Sequence, residues 1–363
     1  MKIALVDSFF SGSHKQWGLN LKNNSTHQFK IFSMVGLYWK WRMHGGAITL
    51  SEELNNSLFN PDLILVTDMI DVSVFKSLIS PKLKDIPIIL YFHENQIMYP
   101  KSKLDSDLIE KRDNHYGFIN FTSALAADRV IFNSNFHFKG FLTELKKFLS
   151  KFPDYPLSEH ISKIQQKSTI IPVGVKMDFR HKQFNNNSPI ILWNHRWEYD
   201  KNPSQFFKIL FRLKEEGIKF NLNIIGENFK SYPKIFNKAK QVLEKRIINW
   251  GYIEKKESYH KILSSSDILP ITSNHDFFGI STVEAIVHGV IPLLPNRLTY
   301  PEHIPKKLHG NYLYNSEDEL YIKLKSIISG FKNIDRHEFI KFVKKYELNK
   351  NIIDYDNYFT EVV

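Results

Sequence analysis

Cysteine is absent from the 363-residue chain, which excludes disulfide bonds, thiolate metal sites and cysteine nucleophiles. The apolar runs are all short, and none approaches the roughly 18 residues that cross a membrane as a helix. The first of them begins at Met1 and ends before Asp7. It is too brief for a signal peptide and is typical of a strand at the start of a domain, so we expect a cytoplasmic protein.

A dinucleotide fingerprint and a metal motif are also missing. No Gly-x-Gly-x-x-Gly segment occurs, so a classical dinucleotide site is not expected. His93-Glu94 resembles the start of a zinc-binding helix, but Ile97 replaces the second histidine. Asp105-Ser106-Asp107 has the D-x-D form of some metal sites, yet the lysines around it favour a solvated loop. We predict neither a metal nor a cofactor.

Negative charge is outnumbered, because 49 Lys and Arg against 38 Asp and Glu give a net charge of +11. An excess of this size favours a polyanionic partner such as nucleic acid or an anionic membrane surface. Both halves of the chain are basic, so the charge does not locate the partner. General solubility explains the excess equally well, and both explanations stay open.

Short apolar runs separated by polar, helix-length segments recur along the chain. Runs of this kind predict buried parallel strands. They cover residues 3–6, 29–32, 63–66, 88–92, 130–132 and 170–171, and then 190–193, 222–225, 247–250, 268–271 and 291–294. The two series predict an α/β protein of two doubly wound, Rossmann-like domains, and residues 183–189, rich in Asn, Ser and Pro, are the best linker candidate between them. We expect substrates at the carboxyl ends of the strands, in a cleft between the domains.

Residues 275–284 have the features of a ligand-binding loop. They place the carboxylates of Asp276 and Glu284 eight residues apart around Phe278-Gly279, directly after a predicted strand. A loop that enters a helix in this way can supply acids for a ribose and a hexose, and backbone N–H groups for a diphosphate. The alternative is that Ser281 and Glu284 form a capping box that only stabilises the helix start. Spacing alone favours neither.

Asp276-x-Phe278-Gly279-x-x-x-x-Glu284 resembles the E-x7-E signature of the family 4 retaining glycosyltransferases, with Asp276 one methylene shorter than the usual glutamate. Other landmarks follow the order of that family: Gly12, His93, the crossover at 171–175, Arg196 with Lys201, Gly226 and Tyr252. The resemblance implies the GT-B fold, in which two Rossmann-like domains face each other. It also implies an N-terminal acceptor domain of residues 1–175 and a C-terminal nucleotide-sugar donor domain of residues 176–363, with the last helix crossing back to the N-terminal domain.

The same resemblance implies roles for individual residues. Catalytic roles fall on His93, Arg196, Lys201 and Asp276. Donor-binding roles fall on Gly12, Arg196, Lys201, Gly226, Tyr252, Asp276, Phe278, Gly279, Ile280 and Glu284. The acceptor hydroxyl in this family is thought to attack on the leaving-group face and to pass its proton to phosphate, so neither a protein nucleophile nor a metal is required. Taken alone, Arg196 and Lys201 could instead pair with Glu198 and Asp200 on the surface.

Several longer strings resemble one branch of this family, the tRNA-queuosine alpha-mannosyltransferases. They are residues 10–16, 91–96, 99–100, 130–136, 195–198, 200–201, 250–252 and 275–279. His195-Arg196-Trp197-Glu198 is the most specific, because ordinary members of family 4 carry a glycine before the arginine. The resemblance implies transfer of mannose from GDP-mannose to the cyclopentene-diol of queuosine at the wobble position of tRNA-Asp.

Residues 38–44 interleave aromatic and basic side chains, which suits the stacking of an unpaired base and the neutralisation of phosphates. The alternative is a partly buried aromatic stretch whose lysine extends to solvent. With the resemblance, we predict that the acceptor tRNA contacts Ser13, His14, Lys15, Lys40, Arg42, Lys101, Lys103 and Arg112.

Two other functions fit the same sequence. A family 4 glycosyltransferase could use another nucleotide-hexose and a lipid or polysaccharide acceptor, for which basic charge also serves. The second is a non-catalytic RNA-binding protein with a degenerate sugar site. The intact Arg196, Lys201 and Glu284 argue against degeneration.

Overall fold

The computed structural model describes residues 1–100, 115–155, 157–177, 186–228 and 232–363. The chain forms two compact units, the first made of Met1–Gly174 with Leu348–Val363 and the second of Val175–Glu347. The division lies one residue before the boundary that the family resemblance implies, and the last helix belongs to the first unit. The linker candidate at 183–189 falls inside the second unit, and its residues 183–185 lie outside the described ranges. Within the described ranges, no helix is both long enough and apolar enough to span a membrane.

The first unit is built on one parallel sheet. Its strands are β1 (Lys2–Phe10), β2 (Gln28–Val35), β3 (Leu63–Thr67), β4 (Ile88–Phe92), β5 (Arg129–Phe132) and β6 (Ser168–Ile170). They lie in the order β2-β1-β3-β4-β5-β6. Its helices are α1 (Gly12–Asn24), α2 (Trp39–Asn55), α3 (Val72–Leu78), α4 (His115–Ala126), α5 (Asn135–Leu149), α6 (His160–Gln166) and α14 (Leu348–Val362). Every residue of β3 and β4 is buried, which is why both sequences are continuous apolar runs.

The second unit repeats this architecture. Its strands are β7 (Ile190–Trp193), β8 (Asn221–Ile225), β9 (Ile247–Gly251), β10 (Ile268–Pro270), β11 (Ile291–Pro295) and β12 (Leu313–Tyr314), in the order β12-β11-β10-β7-β8-β9. Its helices are α7 (Pro203–Glu215), α8 (Ile235–Val242), α9 (Lys256–Ser265), α10 (Ile280–Val287), α11 (His309–Tyr312), α12 (Glu317–Gly330) and α13 (His337–Val343). Aromatic side chains fill much of the core, and the rings of Trp197 and Phe236 stack 4.1 Å apart at 5°.

The strand order places a topological switch point in each unit. In the first sheet β1 lies between β2 and β3, and in the second β7 lies between β8 and β10. Successive crossovers leave these central strands in opposite directions, which opens a crevice outside their carboxyl ends where ligands of such folds bind. The predicted α/β fold with two parallel sheets is confirmed. Each predicted run falls in a strand, except that Ile171 and Ile271 lie one residue beyond β6 and β10.

Candidate active site

The carboxylate of Asp276 is fixed at the carboxyl edge of the second sheet, in the loop after β10. Its Oδ1 lies 3.0 Å from Nζ of Lys201, and its Oδ2 accepts a hydrogen bond from the Tyr300 hydroxyl. Burial raises the pKa of Asp276, but the ammonium of Lys201 and the ring of His195 outweigh it and hold the pKa at about 2. Asp276 is therefore ionised near neutral pH and rigidly oriented.

Lys201 is a buried cation between two carboxylates. It ends the short 3₁₀ turn after β7 and is only 6% exposed. Its Nζ donates to the carbonyl of His275 at 2.8 Å and to Asp276, and it lies 3.1 Å from Oδ2 of Asp200. Burial lowers the pKa of Lys201, but Asp276 and Asp200 raise it further than burial lowers it. The pair with Asp200 exists, yet it is buried and joined to Asp276, so the surface pair expected as an alternative is wrong for this lysine.

Arg196 does form such a partly exposed ion pair. Its Nη2 lies 3.1 Å from Oε2 of Glu198, and 46% of the Arg196 side chain is exposed. Burial raises the pKa of Glu198, and Arg196 partly offsets that rise. The guanidinium thus stays at the same edge of the sheet as Lys201, with donors that can reach a ligand as well as Glu198.

Glu284 lies inside α10 and does not cap it. The helix begins after Gly279, whose φ of 72° is in the left-handed region that suits glycine. Ser281 is the second residue of the helix, and its hydroxyl lies 3.2 Å from Nδ1 of His195. Oε2 of Glu284 instead accepts a hydrogen bond from the Tyr259 hydroxyl at 3.0 Å. The capping-box interpretation is therefore wrong.

The start of α10 is held in place by His303. Nε2 of His303 lies 2.6 Å from the carbonyl of Phe278, and Nδ1 of His303 lies 3.2 Å from the hydroxyl of Tyr346. Burial lowers the pKa of His303 to about 4, so its neutral ring donates through Nε2. The N–H groups of the first turn, at Ile280 and Ser281, cannot bond within the helix and can serve an anion.

The residues that follow β7 and β8 pack closely together at this edge. Gly226, directly after β8, has a φ of 150°, and a Cβ there would lie 1.9 Å from the carbonyl oxygen of His195. Packing therefore requires glycine at this position whether or not a ligand binds. Nδ2 of Asn194 donates to the carbonyl of Ser281 at 2.8 Å. Tyr252 follows β9 and is 60% exposed.

In the first unit, His14 and His93 stack at the carboxyl edge of the sheet. His93 follows β4, and His14 is the third residue of α1, which begins at Gly12 with a φ of 51°. The two ring centroids lie 3.9 Å apart at 23°. Burial holds the pKa of His93 well below its usual value, and His14 lowers it further. Nδ1 of His14 lies 3.8 Å from Oδ2 of the buried Asp7.

Asp7, His14 and His93 have the residue types of a metal site. Each offers one ligand atom, and the three atoms lie within 4.8 Å of one another. A metal bound to an imidazole lies close to the plane of that ring, whereas two stacked, nearly parallel rings have no common plane near their nitrogens. One ring would have to turn before the group could hold an ion. Metal independence stays a prediction.

The predicted tRNA contacts are spread over the surface of the first unit. Ser13 and Lys15 are exposed on α1. At the start of α2, Tyr38 and Trp41 are 74% and 71% exposed, and Tyr38 adopts a φ of 54°, a strained value for a non-glycine residue.

Their neighbours on α2 are more constrained. The ring of Trp39 packs 5.0 Å from that of Tyr116, and Nζ of Lys40 lies 5.6 Å from the Trp39 ring. Nε of Arg42 donates to the carbonyl of Val35 at 3.3 Å. Part of this segment is therefore packed, as the alternative interpretation predicted. Four predictions fall outside the described residues, those on Lys101, Lys103, Arg112 and the 105–107 segment.

The structure thus joins Lys201 and Asp276 directly, and it brings Glu284 to the same edge of the sheet on α10. Several polar residues of this edge escaped prediction, namely Asn194, His195, Tyr259, Tyr300 and His303. Asn194 and His195 follow a buried strand directly, a position that could have signalled them. Tyr300 and His303 lie more than twenty residues beyond Asp276 in sequence, and no local pattern connects them to it.

Comparison with known proteins finds relatives in both sequence and fold. Residues 2–175 match the family described as tRNA-queuosine alpha-mannosyltransferase N-terminal, and residues 175–346 match glycosyl transferases group 1. A tRNA-queuosine alpha-mannosyltransferase of Drosophila melanogaster is 31% identical over 339 residues, which cover 89% of this chain and 85% of that protein.

Solved structures share the fold at low sequence identity. Sucrose-phosphate synthase from Thermosynechococcus elongatus superposes with a TM-score of 0.72 and 12% identity, over 99% of this chain and 98% of the other. A lipopolysaccharide outer core galactosyltransferase gives a TM-score of 0.66 and 14% identity, over 100% of both chains. The predicted GT-B fold is confirmed.

Proposed function

This chain belongs to the tRNA-queuosine alpha-mannosyltransferase family, and on that basis we propose that it transfers mannose from GDP-mannose to the cyclopentene-diol of queuosine at the wobble position of tRNA-Asp. The observation that supports the chemistry best is the buried contact of Lys201 and Asp276 at the switch point of the second sheet. A carboxylate ionised and fixed in this way can accept hydrogen bonds from the hydroxyls of a hexose.

The donor binds in this proposal along the loop that enters α10. Asp276 and the backbone of residues 278–280 bind the hexose, and Glu284 accepts hydrogen bonds from the ribose diol. Arg196, Lys201 and the first amides of α10 face the diphosphate. Cations and helix N-termini stabilise the negative charge that develops on the leaving diphosphate, which lowers the barrier.

The reaction proceeds with retention of configuration and without a metal. The acceptor hydroxyl attacks the sugar carbon on the face that the diphosphate leaves, the bond from that carbon to the phosphate oxygen breaks, and the proton passes to that phosphate. No protein nucleophile takes part. The residues of the chain orient the two substrates and stabilise charge.

The acceptor tRNA binds to the first unit in this proposal. His14 and His93 lie at the carboxyl edge of its sheet, where the modified base would enter. Tyr38 and Trp41 offer exposed rings on which an unpaired loop base can stack. Ser13, His14 and Lys15 on α1 and Lys40 and Arg42 on α2 are the other proposed contacts in the described structure, and the charges of Lys15, Lys40 and Arg42 can attract phosphates. The protein would meet this substrate in the cytoplasm.

The test combines several donors and two acceptors. The protein is incubated with GDP-mannose, GDP-glucose or UDP-sugars and with tRNA that contains or lacks queuosine, and the nucleosides are then analysed by mass. We expect one added hexose on queuosine, with GDP-mannose as the best donor. No hexose on queuosine with any donor would refute the proposed acceptor. Transfer to a lipid or polysaccharide alone would establish the other glycosyltransferase function.

A further inference from the structure

Two buried carboxylates at the carboxyl edge of the first sheet take no part in the proposed transfer of mannose as described above. Asp7 belongs to β1, and Asp68 directly follows β3. These neighbouring strands flank the switch point of the sheet, the place where ligands of doubly wound folds bind. Asp7 is fully buried and Asp68 is 1% exposed. Carboxylates are rarely buried to this degree unless something pairs with them.

Both side chains are held in the same way. Oδ1 of Asp7 accepts a hydrogen bond from the N–H of Phe9 at 2.8 Å, and Oδ1 of Asp68 accepts one from the N–H of His93 at 2.8 Å. The second oxygen, Oδ2, is buried in each case and has no hydrogen-bond partner among the residues that the structure describes. The Thr67 hydroxyl is near enough to lower the pKa of Asp7 but does not reach hydrogen-bond geometry with it. Each carboxylate therefore has one fixed oxygen and one buried oxygen without a donor among the described residues, and a ligand would reach that second oxygen only after the groups that cover it move.

The charge around these two oxygens favours a ligand that donates hydrogen bonds over an anion. Burial raises the pKa of both carboxyls, and Glu94 raises the pKa of Asp68 further. In the described structure the charge of Asp7 also interacts with His14, and that of Asp68 with Asp7 and with the phenol of Tyr91, while His93 contacts Asp68 through its backbone N–H. A buried acceptor without a donor costs about 1–3 kcal/mol, so the arrangement favours a ligand that supplies hydrogen atoms. A diphosphate carries negative charge and lacks such hydrogens near neutral pH, whereas hydroxyl groups supply them.

A third buried group faces the same place. His14 is 8% exposed, and its Nδ1 has no hydrogen-bond partner among the described residues, although it lies 3.8 Å from Oδ2 of Asp7. Its ring stacks on that of His93 and so forms a flat side next to the unpartnered oxygens. The three side chains thus form a buried polar cluster with a flat side, a chemistry that suits a compact ring that carries hydroxyls.

We propose that Oδ2 of Asp7 and Oδ2 of Asp68 accept hydrogen bonds from the two hydroxyls of the queuosine diol, and that this pair distinguishes queuosine from guanosine in the acceptor. The inference rests on the proposed function and identifies the residues that recognise the queuosine of the acceptor tRNA. The hydroxyl that is not glycosylated keeps its hydrogen bond throughout the reaction. The reacting hydroxyl first turns its hydrogen from the carboxylate to the leaving phosphate, and the proton passes to that phosphate as the hydroxyl oxygen bonds to the sugar and the bond from the sugar to the phosphate oxygen breaks.

Asparagine is the sharpest substitution at both positions. In Asp68→Asn and Asp7→Asn the amide oxygen can still accept from the backbone N–H, but an NH₂ group replaces the unpartnered carboxylate oxygen. The hydroxyl must then turn to accept from this NH₂, so a neutral hydrogen bond replaces one to a charged acceptor. Asp62→Asn is the matched control. Asp62 is exposed before β3, holds the N–H of Lys2 at 2.6 Å, and its substitution changes the net charge equally.

The measurement is the affinity for one tRNA with queuosine and for the same tRNA with guanosine. The wild type binds both through phosphates and prefers queuosine. Each variant should lose roughly tenfold or more of that preference, because the lost bonds involve charged acceptors. Affinity for guanosine tRNA, affinity for GDP-mannose and the thermal midpoint should stay near the wild-type values, and Asp62→Asn should keep the preference.

Two outcomes would overturn the inference. The first is an unchanged preference in both variants, and the second is an equal loss of affinity for both tRNAs, which indicates a general electrostatic or structural effect. Either variant alone tests the pair, so Asp7→Asn decides if Asp68→Asn fails to fold. A wild type that transfers hexose to queuosine while the variants keep their preference would overturn this inference and leave the proposed function intact.

Discussion

Replacing Glu284 tests most directly whether its carboxylate binds the ribose of the donor. Its side chain accepts one hydrogen bond, from the Tyr259 hydroxyl at 3.0 Å, and takes no part in capping α10. Burial raises the pKa of Glu284, although Tyr259 partly offsets the rise. A carboxyl whose pKa is raised on folding destabilises the folded state above its unfolded pKa, so its charge is a cost near neutral pH. A residue kept at a cost to stability is best explained by a ligand.

The size of the effect follows from the bonds that the ribose would make. A hydrogen bond to an ionised carboxylate contributes about 1.5–3 kcal/mol, and the diol offers two hydroxyls. Water replaces part of this in Glu284→Ala, so we expect a loss of about 3 kcal/mol, or a roughly 150-fold higher Kd for GDP-mannose. Glu284→Gln keeps one acceptor without the charge and should raise Kd roughly tenfold.

Stability should respond in a different order. Glu284→Gln keeps an acceptor for Tyr259 and removes the buried charge, so its thermal midpoint at pH 7 should equal or exceed that of the wild type. Glu284→Ala should cost about 1 kcal/mol, the value of one lost hydrogen bond. Calorimetric titration and thermal unfolding measure both effects, with Glu215→Ala as an exposed control on α7. Unchanged donor affinity in Glu284→Ala would refute the reasoning.

Three further predictions concern separate parts of the molecule. The pKa of Asp276 is about 2 against the usual 3.8, so its ionised carboxylate stabilises the fold fully above pH 4 and loses this effect as the pH falls toward 2. The free energies of unfolding in urea of the wild type and of Asp276→Asn should therefore approach each other by about 1 kcal/mol between pH 5 and pH 3. A constant difference between the two proteins over this range would contradict the prediction. Trp41→Ala should weaken tRNA binding by about 1–3 kcal/mol without changing the affinity for GDP-mannose. Ile48, which is also exposed on α2, is the control, and Ile48→Ala should change neither affinity. Equal tRNA affinity in the two variants would exclude stacking on Trp41. Asp356 accepts three hydrogen bonds from the turn before β2, so Asp356→Ala should lower the free energy of unfolding by about 2–3 kcal/mol. Asp354 is exposed on the same helix, and Asp354→Ala should leave that free energy unchanged. Equal unfolding curves for the two variants would show that α14 docks without these bonds.

The fold was predictable because parallel strands covered on both faces must be apolar throughout. The run Ile88–Phe92 shows this, since every residue in it is buried. β12 was missed because its two residues are too few to form a pattern. The start of α10 was misjudged for a conformational reason. Gly279 takes the left-handed conformation, so the helix begins one residue before Ser281 and the capping geometry never forms.

The candidate sites were less predictable than the sheets around them. Asp276 and Glu284 have a fixed spacing that a known family shares. Asp7 and Asp68, in contrast, come from different strands, and only the sheet register makes them neighbours at one edge. A single aspartate at the end of a strand is typical of turns as well as of ligand sites. What distinguishes the two here is burial with an unpartnered oxygen, which is a property of the folded structure alone.

The charges around Lys201 change the interpretation of the second-unit site. Its ammonium lies 3.0 and 3.1 Å from two carboxylates, so the three groups together carry net negative charge. Such a group attracts a diphosphate less than a lone ammonium would. Lys201 therefore divides its charge between fixing Asp276 for the sugar and facing the diphosphate, and the larger part of the attraction for the diphosphate comes from Arg196 and the first amides of α10. Glu198 already neutralises part of Arg196, so a donor gains most from that guanidinium when it displaces the exposed ion pair, whose loss costs little.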